Sequence, residues 1–205
     1  MDTAHHLKLK LQHTQPLITR ELLVPSKLRL DRLHGVLQIV MGWEDCHLHE
    51  FSNGVRGPGE QRFGPSEPDF GLSLMSGPSD EAKAALADLA PAKGDSFVYW
   101  YDFGDDWIHQ IKVHAVITPE PDAALPVCLK AIGAGPPEDC GGPWGYAEMM
   151  EVLGDPKHEE HAAMREWVDD DWDPQRYDIG SVNKMLARLA ASWKRAPRKP
   201  RRKAR

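Results

Sequence analysis

Residues 97–117 constrain the fold more than any other stretch. They read Phe97-Val98-Tyr99-Trp100-Tyr101-Asp102, then Phe103-Gly104-Asp105-Asp106, then Trp107-Ile108-His109-Gln110-Ile111-Lys112-Val113 onward to Ile117. Two β-prone runs flank a short Gly/Asp-rich segment, the signature of a β-hairpin. A four-residue turn over 103–106 predicts that Asp102 pairs with Trp107, Trp100 with His109, and Val98 with Ile111. All six then share one face. His109 falls among Trp107, Ile111 and Val113, with Asp102 as its diagonal neighbour about 7–8 Å away.

The elements around the hairpin follow from periodicity. Leu7, Leu9 and Leu11 alternate with Lys8, Lys10 and Gln12 and predict a half-buried strand over 6–13. Residues 17–24 predict a second strand. Leu30, Leu33, His34, Leu37, Val40 and Met41 recur at helical spacing, with Asp31 in the first turn and Gly42-Trp43 at the end. His47, His49 and Phe51 fall on one face of a short strand. Residues 52–79 hold six glycines and four prolines and read as a long surface loop. Ser79-Asp80-Glu81 opens a short helix to Leu89. Residues 118–143 read as a Pro- and Gly-rich connection. Three helices follow, marked by Trp144 to Leu153, His161 to Val168, and Ile179 to Trp193. Strands early and helices late predict an α+β fold: a mainly antiparallel sheet, helices packed on one side, and a C-terminal helical annex.

Charge divides the chain. Residues 194–205 hold eight of the 25 basic residues and no acid. The other 193 residues carry 17 basic and 31 acidic side chains, a net charge of -14. This predicts one domain over 1–193 and a disordered basic tail over 194–205. Arg198, Lys199, Arg201 and Arg202 in the tail are candidate nucleic-acid contacts through phosphate. The alternatives are an unknown protein partner, or a tail that folds back on its own acidic body. No apolar run approaches the ~20 residues of a membrane span, and Met1 to His6 lacks the pattern of a secretory leader. Cys46, Cys128 and Cys140, odd in number and widely spaced, fit a reducing cytoplasm.

Two segments concentrate chemistry: residues 99–109, and Pro136-Pro137-Glu138-Asp139-Cys140-Gly141-Gly142-Pro143-Trp144-Gly145-Tyr146. Trp100, Asp102, Asp105, Trp107, His109, Glu138, Asp139 and Cys140 are the candidate cleft. His34, His47, His49, Asp102 and His109 are candidate ligands for a divalent metal ion, since mixed His/carboxylate sets suit zinc, manganese or iron. The alternative is a set of core histidines bonded to carboxylates. Cys140 beside two glycines could be a thiolate with His109 as base. Adjacent Glu138 and Asp139 would raise its pKa, which favours a structural cysteine instead. Asp102-Phe103-Gly104 is no kinase signature, because no glycine-rich phosphate loop or His-Arg-Asp loop accompanies it.

The ordered motifs resemble the plasmid pRiA4b ORF-3-like family, which includes insertion-element passenger proteins labelled TnpR-like. The resemblance rests on Leu33-His34-Gly35-Val36-Leu37-Gln38 running into Gly42-Trp43, on His47-Leu48-His49-Glu50-Phe51, on 101–109, on 136–142 and on Gly145-Tyr146. It spans about residues 7–186. The second strand departs from the family's Trp-Arg-Arg-type run, reading Leu17-Ile18-Thr19-Arg20-Glu21-Leu22. The resemblance implies an α+β domain and a link to plasmids and mobile elements. It assigns no reaction, and the sequence carries no serine or tyrosine recombinase motif. Two functions follow as expectations. One is a non-enzymatic accessory or interaction protein. The other is a metal-dependent hydrolase with His34, His47, His49, Asp102, Asp105, His109 and Glu138 around one cleft.

The charge division generates a first prediction. Deleting 194–205 leaves the melting temperature unchanged, and any DNA retention shown by the full chain disappears with the tail. Gel shifts at two salt concentrations check this, since phosphate contacts lose affinity with a slope of about -0.9 per contact in log K against log salt. Equal retention by both forms would contradict it.

Overall fold

The structure is a computed structural model that describes residues 2–66, 77–168 and 172–194. The tail residues Arg198, Lys199, Arg201 and Arg202 lie outside the described residues. The strands are β1 (Ala4–Leu11), β2 (Thr19–Pro25), β3 (His49–Ser52), β4 (Arg62–Gly64), β5 (Ser79–Asp80), β6 (Ser96–Tyr101), β7 (Trp107–Ile117) and β8 (Val127–Ile132). The helices are α1 (Leu30–Met41), α2 (Leu86–Leu89), α3 (Gly142–Gly154), α4 (His161–Trp167) and α5 (Ile179–Trp193). One sheet runs β5-β4-β3-β6-β7-β1-β2-β8. Every neighbouring pair is antiparallel except β4 and β5. The α+β expectation therefore holds, and no helix among the described residues is long and apolar enough to cross a membrane.

Alternation decides which face is covered. In β1, Leu7, Leu9 and Leu11 are buried while Lys8 and Lys10 are exposed. The same period in β2, β6 and β7 gives the sheet one buried face, which removes apolar area from water at roughly 25 cal/mol per Å². Helix α1 contributes Leu30, Leu33, Val36, Leu37, Val40 and Met41 to the core. It stops where Gly42 takes φ +85, a left-handed cap natural to glycine.

Three expectations need correction. The hairpin turn has five residues, not four: Tyr101 pairs with Trp107, Tyr99 with His109, and Phe97 with Ile111. Asp102 and Asp106 take φ +53 and +59, and the Asp106 N–H donates to the Asp102 carbonyl at 2.7 Å. One extra residue in the loop flips faces on one strand, so Tyr99 and Tyr101 point inward with His109, while Trp100 and Asp102 do not share its face. Second, residues 118–143 contain β8, and 52–66 with 77–80 contain β4 and β5. Ser79 to Leu89 is a strand, a 3-10 turn (Glu81–Lys83) and α2, not one helix. Third, β3 begins at His49, which leaves His47 in the preceding loop.

Arg20, in the strand that departs from the family pattern, is fully buried. Its Nε donates to the Val40 carbonyl at 2.6 Å, and Nη1 donates to Thr19 and Ile132 carbonyls at 2.8 and 3.0 Å. Its guanidinium stacks 4.0 Å from the centre of the Tyr177 ring, and the Tyr177 hydroxyl donates to the same Val40 carbonyl at 2.9 Å. One cation thus joins β2, the end of β8, the C-terminal turn of α1 and the segment before α5. At Val40 it meets a carbonyl at the negative end of the α1 dipole in place of a carboxylate. Arg20→Ala should destabilise the fold by about 3 kcal/mol or more, because three carbonyl contacts and the stacking of a buried side chain are lost together. A denaturant midpoint within error of wild type would contradict that role.

Candidate functional site

Three loops meet at one end of the sheet. The first, Gly42 to Leu48, joins α1 to β3. The second is the hairpin tip, 102–106. The third, Gly133 to Gly141, leads into α3. Short contacts hold them together. The Gly141 N–H donates to Asp105 Oδ2 at 3.1 Å, and a Cβ on Gly142 would lie 2.2 Å from the Asp105 carbonyl oxygen. Only glycine permits that approach, and its φ of +68 suits glycine too. Trp43 Nε1 donates to the Pro136 carbonyl at 2.9 Å, and the Glu44 N–H donates to Glu138 Oε1 at 2.9 Å. The buried Tyr101 hydroxyl donates to the same Glu138 oxygen at 2.9 Å and accepts the Cys46 N–H at 3.3 Å.

His47 stands at this junction. Its Nε2 lies 3.1 Å from Asp139 Oδ1, 3.6 Å from Asp102 Oδ2 and 4.0 Å from Glu138 Oε2. None of these is a hydrogen bond: His47 Nε2 and Glu138 Oε2 are both buried atoms without a hydrogen-bond partner. Two of the carboxylates divide their oxygens. Asp102 Oδ1 accepts the Gly104 and Asp105 N–H groups at 2.9 and 3.3 Å, which leaves Oδ2 toward His47. Glu138 Oε1 accepts from Tyr101 and Glu44, which leaves Oε2 toward His47. One oxygen anchors each carboxylate and the other faces the imidazole. The junction opens to solvent on one side, with the Asp139 side chain 72% exposed.

His34 and His49 form a separate pair. Their rings stack at 3.6 Å with planes 6° apart. With the His34 Nε2–H directed at the Asp45 carboxylate, the neutral ring accepts at Nδ1 from the Tyr99 hydroxyl at 2.8 Å, and that hydroxyl accepts from Gln38 Nε2 at 3.0 Å. The His34 Nε2–H donates to Asp45 Oδ1 at 2.7 Å. His49 Nε2 meets Glu81 Oε2 at 2.8 Å. His34, Asp45 and His49 lie close enough to offer three ligands. In this arrangement, however, parallel stacked imidazoles direct their in-plane lone pairs side by side, not toward one point. Burial, then the neighbouring His49, pushes the His34 pKa below its ordinary value.

The single cleft expected from the sequence therefore divides. His47, Asp102, Asp105, Glu138 and Asp139 come together. His34 and His49 form their own pair. His109 belongs to neither: it is fully buried, its Nδ1 donates to the Tyr99 carbonyl at 3.2 Å, and its ring meets Trp43 edge-on at 5.2 Å. Trp107 is buried in the core, whereas Trp100 packs on Phe103 at 4.6 Å on the outer face. Burial, then Asp105, pushes the Cys140 thiol up to about 12, which argues against a thiolate nucleophile. Cys46, Asp45, Glu81 and Tyr101 were not among the expected residues. Cys46 and Asp45 could have been found from their place beside His47. Tyr101 and Glu81 depend on the hairpin register and on a contact across 32 residues.

The buried histidines generate a pH prediction. Burial pushes His109 down to about 3, and burial also lowers His5 and His34. In the unfolded chain these groups take up protons near 6.5. Below that pH the unfolded state binds more protons, so stability is complete above it and falls as pH drops toward 3. Each group contributes a slope of at most about 1.4 kcal/mol per pH unit. Between pH 6.5 and 4 the His109→Gln variant should lose stability less steeply than wild type. Identical slopes in denaturant titrations would contradict the assignment.

The sequence profile of the plasmid pRiA4b ORF-3-like proteins matches residues 3–181. The chain is 42% identical over 195 residues to uncharacterized protein y4hQ of Sinorhizobium fredii (strain NBRC 101917 / NGR234), covering 94% of this chain and 95% of that protein. The crystal structure of MM3350 from Methanosarcina mazei Go1, titled a protein of unknown function, superposes with a TM-score of 0.77 at 36% identity. That likeness covers 88% of this chain and 98% of the other. With its motifs in order and its fold shared along most of its length, the chain belongs to the plasmid pRiA4b ORF-3-like family.

Proposed function

We propose that the chain binds a divalent metal ion at His47, with Asp102 and Asp139 as its carboxylate ligands and Glu138 beside them, and that the ion serves hydrolytic chemistry. The observation that carries this reading is a buried His47 Nε2 without a hydrogen bond and with carboxylate oxygens at 3.1, 3.6 and 4.0 Å. Ligand atoms about 2.0–2.2 Å from a tetrahedral ion lie roughly 3.3–3.6 Å from one another. The spacing around His47 brackets that value. Anchored outer oxygens are what a metal site needs to orient its inner ones. Three carboxylates facing one imidazole also leave an excess of negative charge that a cation would relieve.

The open side of the junction supports chemistry over a purely structural ion, because catalytic sites keep a coordination position for water. With the ion bound, its chemistry would be the acidification of a water for attack on an electrophilic carbon or phosphorus, while His47, Asp102 and Asp139 would hold the ion. The non-enzymatic accessory reading has one observation in its favour. Trp144, directly after the site loop, is 88% exposed, and exposed tryptophans are preferred anchors for protein partners.

Untagged protein should retain close to one equivalent of metal after dialysis. Chelation should lower its melting temperature, because ion binding adds to folding free energy. His47→Ala and Asp102→Asn should lose the metal. No metal above trace, and no melting shift with zinc, manganese or iron, would overturn the reading. Retained metal without turnover on phosphodiester, ester and amide chromogenic substrates would overturn hydrolysis and leave the accessory reading.

A further inference from the structure

We infer that Cys46 is a ligand of the same ion, so that the site takes a thiophilic divalent metal, zinc or ferrous iron, in preference to magnesium or manganese. This rests on the metal reading above and adds the class of ion. Cys46 Sγ, a ring nitrogen of His47 and a Glu138 carboxylate oxygen all lie within 4.8 Å of one another. His47 is common to two groups, one with Asp102 and Asp139 and the other with Cys46 and Glu138, and Cys46 joins the ion of the first by turning its side chain. The backbone presents the cysteine and the histidine, adjacent in sequence, to one point. Asp45 turns the chain with φ +58, and the Cys46 N–H is fastened to the Tyr101 hydroxyl at 3.3 Å. That phenol also donates to Glu138 Oε1 at 2.9 Å, so a single buried group sets the position of both outer ligands.

The other two cysteines face different surroundings. Cys128 is buried, with its Sγ toward the Lys130 carbonyl at 3.5 Å, and Cys140 is packed against the core. Cys46 is the exposed one, and its Sγ contact with the Tyr101 hydroxyl is loose at 3.8 Å. In a tetrahedral shell with a metal–sulfur bond of about 2.3 Å, sulfur lies roughly 3.6 Å from nitrogen or oxygen ligands. Rotation of an exposed cysteine side chain covers the remaining ångström or so. Binding exchanges the S–H bond for a metal–sulfur bond and releases the proton to solvent. A nitrogen and carboxylate set alone accepts hard and borderline ions alike, whereas a thiolate selects the softer ones.

Cobalt titration of the full chain under reducing conditions tests this. Wild type should show visible ligand-field bands together with a thiolate-to-cobalt charge-transfer band in the near ultraviolet. Cys46→Ser should keep the ligand-field bands, lose the charge-transfer band, bind zinc about tenfold more weakly or worse, and bind manganese unchanged within twofold. Cobalt bound to wild type without the charge-transfer band, or equal zinc affinity in the two proteins, would overturn the role of Cys46 and leave the His47 site standing. No cobalt bands in either protein would overturn both.

Discussion

The rest of this structure depends on the five-residue turn that closes β6 onto β7. Asp102 and Asp106 hold left-handed backbone, a conformation that aspartate tolerates better than bulky residues. The Asp102 carboxylate stabilises the turn by accepting two backbone N–H groups. Parity does the rest. With an odd loop, Tyr99 and Tyr101 point into the core, where one phenol engages His34 and Gln38 and the other engages Glu138 and Cys46. The same turn leaves Asp102 at the mouth of the sheet beside His47 and brings Asp105 to Gly141. One conformational choice therefore decides both the packing of the core and the assembly of the candidate site.

A second constraint works from beneath. Arg20 holds the Val40 carbonyl, two residues before the cap at Gly42. The loop carrying Trp43, Asp45, Cys46 and His47 starts from that cap. A buried cation answering a helix carbonyl fixes where this loop departs, and Trp43 fixes its next step by bonding the Pro136 carbonyl. The acidic loops are thus brought close by neutral and cationic anchors, while their free carboxylate oxygens converge on one imidazole. Holding like charges together has an electrostatic cost in the metal-free protein. An ion would turn that cost into binding energy.

Much of this was legible in the sequence, and the illegible parts have physical reasons. The strand at Leu7, Leu9 and Leu11 and the helix from Leu30 to Met41 were plain, because polar residues fill the opposite positions. The hairpin was plain but its register was not. Tyr99, Trp100 and Tyr101 are consecutive aromatics, so both parities look buried and the alternation cannot choose. β8 was hidden because Val127-Cys128-Leu129-Lys130-Ala131-Ile132 has no clean alternation at the end of a sheet, where one edge is unpaired. Asp102, Asp105, Glu138 and Asp139 were identified with His47 because the two motifs are dense in acids. The histidines were pooled because sequence gives no ring orientation: stacking sets His34 and His49 apart from His47, and the hairpin register buries His109 against Trp43.

The central claim is that His47 is the pivot of a metal site formed by three loops. Anomalous diffraction from crystals of the full chain grown with zinc, recorded on both sides of the zinc edge, tests it most directly. The account predicts one strong anomalous peak within coordination distance of His47 Nε2, flanked by Asp102 and Asp139. A peak between His34 and His49 with none at His47, or no peak at either place, would contradict it.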